Sequence, residues 1–245
     1  GIAKSISVPR SRTYRNHMIL KTTLFVLGAG ASWSYGHPLG DELVADIISA
    51  KYDETVRNCL GCEVDLSSFR EALRDSRCES IDAFLSGNPG MVTIGKHYIA
   101  AAINASECAP RTRQGGATDD WVAHLLDRMT APPDDFHNNA IAVVTYNYDR
   151  SFEAVFKRAI AARYGLTDEE AQETAKKFDV IHVHGSLGSP WSTDGAVYRP
   201  YGIEAKSSDL RDMAESIRVI AEKEPDDSRY QEVTELFAWA ERVIF

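Results

Sequence analysis

The stretch "LFVLGAGASW", residues 24–33, decides the reading of the chain. The run from Thr22 to Gly28 is apolar and β-branched and ends on glycine, the pattern of a buried strand entering a tight turn. Gly28-Ala29-Gly30 then begins like the glycine fingerprint of a dinucleotide-binding fold, where a missing Cβ lets backbone approach a pyrophosphate. The third glycine of that fingerprint would fall at position 33, and position 33 is Trp33. A strand and a phosphate-type turn are therefore expected, without the spacing of a standard dehydrogenase.

Helical periodicity follows. Leu39, Leu43, Ile47 and Ile48 share one face of a helix over 39–51. Residues 63–104 read as helical throughout, with Ser80 capping IDAFL and Pro89 near the start of the next helix. A loop over 108–118, an amphipathic helix over 119–129 and a second loop over 130–139 come next. The pattern then returns to strands: IAVVTYN (141–147) and FDVIHVHG (178–185), separated by helix 149–165, with Asp149 near its start and Gly165 past its end. Thr167 and Glu170 form a capping box for a further helix. A long loop over 186–202 leads to helical stretches near 208–223 and 228–241 and an apolar tail. Strands alternating with helices predict an α/β fold: a Rossmann-like open parallel sheet with a helical insertion, about 52–139, between the first two strands.

A chain of 245 residues with 44% hydrophobic and 26% charged residues has ordinary globular composition. Its formal net charge of −9 argues against direct nucleic-acid binding, which wants a basic face, but permits a small anionic ligand held by backbone N–H groups. The four cysteines, Cys59, Cys62, Cys78 and Cys108, include a C-x-x-C pair with no matching second half, so reduced thiols and no metal are expected. No apolar run approaches the roughly 18 residues of a membrane span, and the basic stretch 1–21 lacks a signal-peptide core, so a cytoplasmic protein with a basic leader is expected.

Ligands of open parallel sheets bind beyond the carboxyl ends of the strands. The residues there are Gly28, Ala29, Gly30 and Ser32 after the first strand, Thr145, Asn147 and Asp149 after the second, and His184, Gly185 and Ser186 after the third. The glycines allow close backbone approach, Ser32 adds a hydroxyl, Asn147 supplies a donor and an acceptor, and His184 can take a proton near neutral pH. His182 alternates with Val183 and reads as structural. His37, Trp191 and Tyr201 lie in loops that could line or cover such a site.

The set GAGAS (28–32), TYNYD (145–149) and HVHGSLG (182–188), in that order, resembles the sirtuin superfamily, and SIDAFLSGNP followed by IGKHYIAAAI is similar to its bacterial sirtuin-like branch. The resemblance covers roughly residues 22–245 and implies a domain whose C-terminal part is incomplete. It also accounts for Trp33, since sirtuin-type sites do not use the third glycine.

The chemistry so implied is cleavage of the nicotinamide–ribose bond of NAD. Asn147 would orient the ribose or the attacking water, and His184 would be the general base. Gly28, Ala29, Gly30, Ser32, Thr145, Asp149, Gly185 and Ser186 would hold the cofactor. The four-cysteine zinc module of deacylating sirtuins is absent, as no cysteine follows Cys108, so water is the expected acceptor. The resemblance thus implies an NAD hydrolase of anti-phage defence; because such an activity needs restraint, a homo-oligomer and a nucleoside-triphosphatase or other defence-system partner are expected. An NAD-dependent deacylase or ADP-ribosyltransferase and a non-catalytic NAD or ADP-ribose sensor are the alternatives.

Overall fold

The computed structural model describes residues 18–109, 120–191, 198–222 and 228–245. Four strands, β1 (Thr23–Leu27), β2 (Ile141–Thr145), β3 (Asp179–His182) and β4 (Arg242–Ile244), form a parallel sheet in the order β3-β2-β1-β4. The chain runs outward from β1 through β2 to β3, then crosses to the opposite side of β1 for β4. The sheet therefore has its topological switch point between β1 and β4.

Between β1 and β2 lie α1 (Ala29–Trp33), α2 (Gly40–Ile48), α3 (Asp53–Leu60), α4 (Leu66–Ser76), α5 (Ile81–Gly87), α6 (Val92–Cys108) and α7 (Trp121–Asp127). After β2 come α8 (Ser151–Tyr164) and α9 (Asp168–Ala175), and between β3 and β4 come α10 (Ser207–Ser216) and α11 (Ser228–Trp239). The expected α/β sheet with an inserted helical module is the observed architecture.

Period-two alternation packs both faces of the sheet. Ile141 and Val143 of β2 join Val155, Phe156 and Ile160 of α8 and Leu125 and Leu126 of α7 in one core. Ala142 and Val144 join Leu24 of β1 on the other face, against Val233 and Leu236 of α11. A separate core holds the helical module together. It draws Leu43, Val44 and Ile47 of α2 and Leu210, Met213 and Ala214 of α10 into contact with α3 to α6. The module thus takes helices from both sides of the expected 52–139 limits, while α7, inside those limits, packs on the sheet. Apolar helix faces do not record which neighbour they will meet.

Several boundaries differ from the sequence expectation for local reasons. The helical run 63–104 breaks where Arg77 turns left-handed (φ +53°) to end α4, and again at the 3-10 turn Pro89–Met91. Ser80 sits at the N-cap of α5 without a side-chain capping bond. The loop 130–139 contains a 3-10 helix, Pro133–Asn138, and the turn after β1 continues into the short helix α1. The third strand stops at His182, ahead of Gly185 (φ +70°). Gly165 and the Thr167–Glu170 capping box lie where expected. Ile19 belongs to the fold, since its carbonyl accepts from Ala140 N at 2.8 Å and its N–H donates to Asn139 Oδ1 at 2.9 Å. Residues 1–17 of the expected leader and most of the loop 108–118 lie outside the described residues. Among the described residues no helix is long and apolar enough to cross a membrane.

Candidate functional site

The strand register sets the site. Leu27 of β1, Thr145 of β2 and His182 of β3 stand in one row across the sheet, so the three motifs that follow leave it at the same level. The carboxyl edge is therefore where Gly28, Tyr146 and Val183 emerge together.

Five of the expected site residues form one hydrogen-bonded set. Asn147 Nδ2 donates to the Gly28 carbonyl oxygen and to Ser32 Oγ, each at 2.9 Å. A peptide carbonyl only accepts, so the NH2 end of the amide must face Gly28. Both amide hydrogens are used there, and Oδ1 is the atom with which the side chain can accept from a ligand. Ser32 Oγ donates to Asp149 Oδ1 at 2.9 Å, which also receives Ser151 N at 3.0 Å and the Ser151 hydroxyl. Thr145 Oγ1 accepts from Asn147 N at 3.1 Å. Ser32, Thr145 and Asp149 are buried, so these three face inward and fix the turn that presents Asn147.

The glycines of the first motif are exposed, and a Cβ added at either Gly28 or Gly30 would meet nothing within 4 Å. Neither has a positive φ. Among the described residues nothing demands glycine at these positions. They open on a cavity of about 1270 Å3 that runs along one face of β1 and β4, from Thr23 and Arg242 at the amino ends to Gly28–Ala31 and Phe245 at the carboxyl ends, with Trp121 of α7 as a further wall. Among the described residues, Lys21 and Arg242, at the amino end of β1, and Arg128 also line it, with Asp127 as the acidic member.

The third motif is placed differently. The His184 ring is buried against Tyr146, with centroids 5.6 Å apart, and Tyr148, at 6.0 Å. Its carbonyl accepts from Arg218 N at 2.8 Å. Tyr148 in turn donates to Asp82 Oδ1 of α5 at 2.6 Å, and burial, with Asp82 beside it, pushes its phenol well above the ordinary range. Gly185 has an internal reason to be glycine: a Cβ there would stand 2.1 Å from the Ser216 carbonyl oxygen. Ser186 accepts through its carbonyl from Ser216 Oγ at 2.7 Å and lines a second cavity, of about 480 Å3, with His182 and Trp191. Of the expected site residues Gly28, Ala29 and Gly30 line the larger cavity, whereas Ser32, Thr145, Asn147, Asp149, His184, Gly185 and Ser186 sit at the same sheet edge outside its lining.

Other residues complete the arrangement. His37 is 1% exposed, with Nε2 3.2 Å from the Tyr201 hydroxyl and 3.8 Å from Asp149 Oδ1, so the long loop does reach over the second motif. Arg150, wholly buried, pairs with Glu107 of α6 and donates to the Arg199 carbonyl at 2.5 Å. Burial pushes the Glu107 carboxyl up, opposed by the Arg150 guanidinium. This pair ties the second motif to the helical module, and no local pattern signals a partner 43 residues away. Ser151 and Glu153 carried no signal beyond their place in the first turn of α8. Cys59 is buried and Cys62 exposed, both free thiols, and among the described residues no group of three or more His, Cys, Asp or Glu side chains is placed to hold a metal. Comparison of the chain with protein-family models, with characterised proteins and with solved structures finds no match.

Proposed function

We propose that this chain binds NAD across the Gly28–Gly30 turn and hydrolyses its nicotinamide–ribose bond to nicotinamide and ADP-ribose. The observation that carries the reading is the pair of exposed glycines with no internal reason to be glycine, opening on a large cavity at the topological switch point. Small-ligand sites occupy roughly 300–1,000 Å3. About 1270 Å3 is room for an extended dinucleotide that starts on the glycine turn and runs along the face of β1.

Chemistry would follow from the adjoining strand ends. Asn147, held by Gly28 and Ser32, would accept from a ribose hydroxyl or the attacking water through Oδ1. His184, packed on Tyr146 and Tyr148 beside this cavity and outside its lining, is the proposed base: once its ring turns toward the ligand it would take the proton that the water loses as the water oxygen bonds to the ribose carbon and nicotinamide leaves with the bonding pair. A positioned base contributes about 10²–10⁴-fold. In the bacterial sirtuin-like branch that the motifs resemble, this reaction depletes NAD on phage infection, and the same role is proposed for this chain.

The deciding experiment follows nicotinamide release from NAD by proton NMR in the wild type, Asn147→Ala and His184→Ala. Turnover lost in both variants, with the fold intact by circular dichroism, is the expected result. Saturable NAD binding with no turnover in the wild type would replace the hydrolase by the sensor, and no binding at all would end the NAD reading.

A further inference from the structure

The ring of His182 lies between two oxygen acceptors. Its Nδ1 is 2.9 Å from the backbone carbonyl oxygen of Asn147, and its Nε2 is 2.8 Å from Oε1 of Glu153. A peptide carbonyl has no proton to give, so Nδ1 must carry one. A neutral ring would then turn the bare lone pair of Nε2 on a carboxylate oxygen. The opposite tautomer would satisfy Glu153 and turn a bare Nδ1 on the Asn147 carbonyl. Both contacts are attractive together only when the pair holds one proton more than a neutral imidazole and a carboxylate, and the ordinary acidities of the two groups put that proton on the ring.

The surroundings favour this state. The side chains of His182 and Glu153 are 11% and 6% exposed, and Glu153 Oε2 has no hydrogen-bond partner, so the ring is the group that compensates the carboxylate. Of the other charged groups, Asp149 approaches from the turn after β2, and Lys176, at the end of α9, lines the same cavity. Burial works against the charged ring, but Glu153, the Asn147 carbonyl and Asp149 together hold its pKa above the ordinary value.

We infer that Glu153 and His182 are positioning residues that share one buried proton, and that this proton clamps the Thr145–Asp149 segment in the geometry by which Asn147 reaches Gly28 and Ser32. The link is short: the charge-assisted bond from Nδ1 fixes the Asn147 carbonyl, and the same residue's amide spans to β1. Loss of the proton makes one of the two ring contacts repulsive in either tautomer, so the ring no longer ties the Asn147 carbonyl to Glu153. The inference rests on the functional reading only for its effect on NAD affinity.

The test uses the full chain with 15N-labelled histidine. Both ring nitrogens of His182 are expected to show imidazolium shifts at pH 6. They should titrate with a single midpoint above 6.5, and the backbone amide signals of Tyr146 to Tyr148 should move with that midpoint. Glu153→Gln should lower the midpoint by about one unit, a tenfold loss of proton affinity. If that variant does not fold, the wild-type titration decides alone. A single neutral tautomer from pH 6 to 9, or a ring titration that the three amides do not follow, overturns the inference. NAD titrated as probe should bind more weakly above the midpoint. NAD that binds at no pH sinks the functional reading, while the ring and amide signals still decide this one.

Discussion

Asn147 donates its side-chain amide to the Gly28 carbonyl at 2.9 Å and so joins the end of β2 to the end of β1. The bond makes this side chain a support of the glycine turn, and Oδ1 is left as the atom proposed to meet a ligand. Its removal has two separable effects. Asn147→Ala should lower unfolding free energy by about 1–2 kcal/mol for two lost hydrogen bonds, read by urea denaturation. It should also lower NAD turnover by 10²-fold or more, roughly the scale of a positioned catalytic group and far beyond the stability effect.

Gly30→Ala separates fold from function in the opposite direction. The added methyl meets no neighbour and lies in α1, so thermal unfolding should show stability unchanged or raised by up to about 1 kcal/mol. Calorimetric titration should show weaker binding of NAD, because the methyl occupies space that the glycine leaves open. Unchanged affinity would remove the glycine turn from the site.

Gly185→Ala should behave as a folding mutant. The left-handed backbone and the Ser216 carbonyl in the path of Cβ act together, so a loss of roughly 2–3 kcal/mol is expected in denaturant unfolding. Any fall in activity should follow the fraction unfolded.

Arg150→Met should cost about 3–5 kcal/mol, since it leaves Glu107 buried without its charge partner. The expected consequence is loss of the docked helical module along with the second motif, measurable as faster hydrogen exchange in α6 and in residues 146–150 together.

Stability should also depend on pH through His182. Its folded pKa lies above the ordinary 6.5, so protonation favours the folded state. The contribution is fully present below 6.5 and is lost as pH rises through the folded value. Urea midpoints measured from pH 6 to 9 should fall over that window, and Glu153→Gln should flatten the fall.

Much of the fold was legible because it follows from short-range pattern. The apolar runs 22–28 and 141–147, their glycine or polar ends and the helical faces between them specify a parallel α/β sheet, and alternation at Ile141 to Val144 specifies its two buried faces. The residues of the first two motifs could be named for the same reason, since strand ends in such sheets converge on one edge. Only the tertiary structure decided what those residues do to each other. It spent both Asn147 hydrogens on Gly28 and Ser32, turned Ser32 and Asp149 inward, packed His184 on two tyrosines and placed His182 between Asn147 and Glu153. It also brought α2 and α10 into the helical module and paired Glu107 with Arg150. Hydrophobic period is written along the chain within a few residues, whereas hydrogen-bond partners and charge pairs depend on which surfaces meet after the chain has folded back on itself.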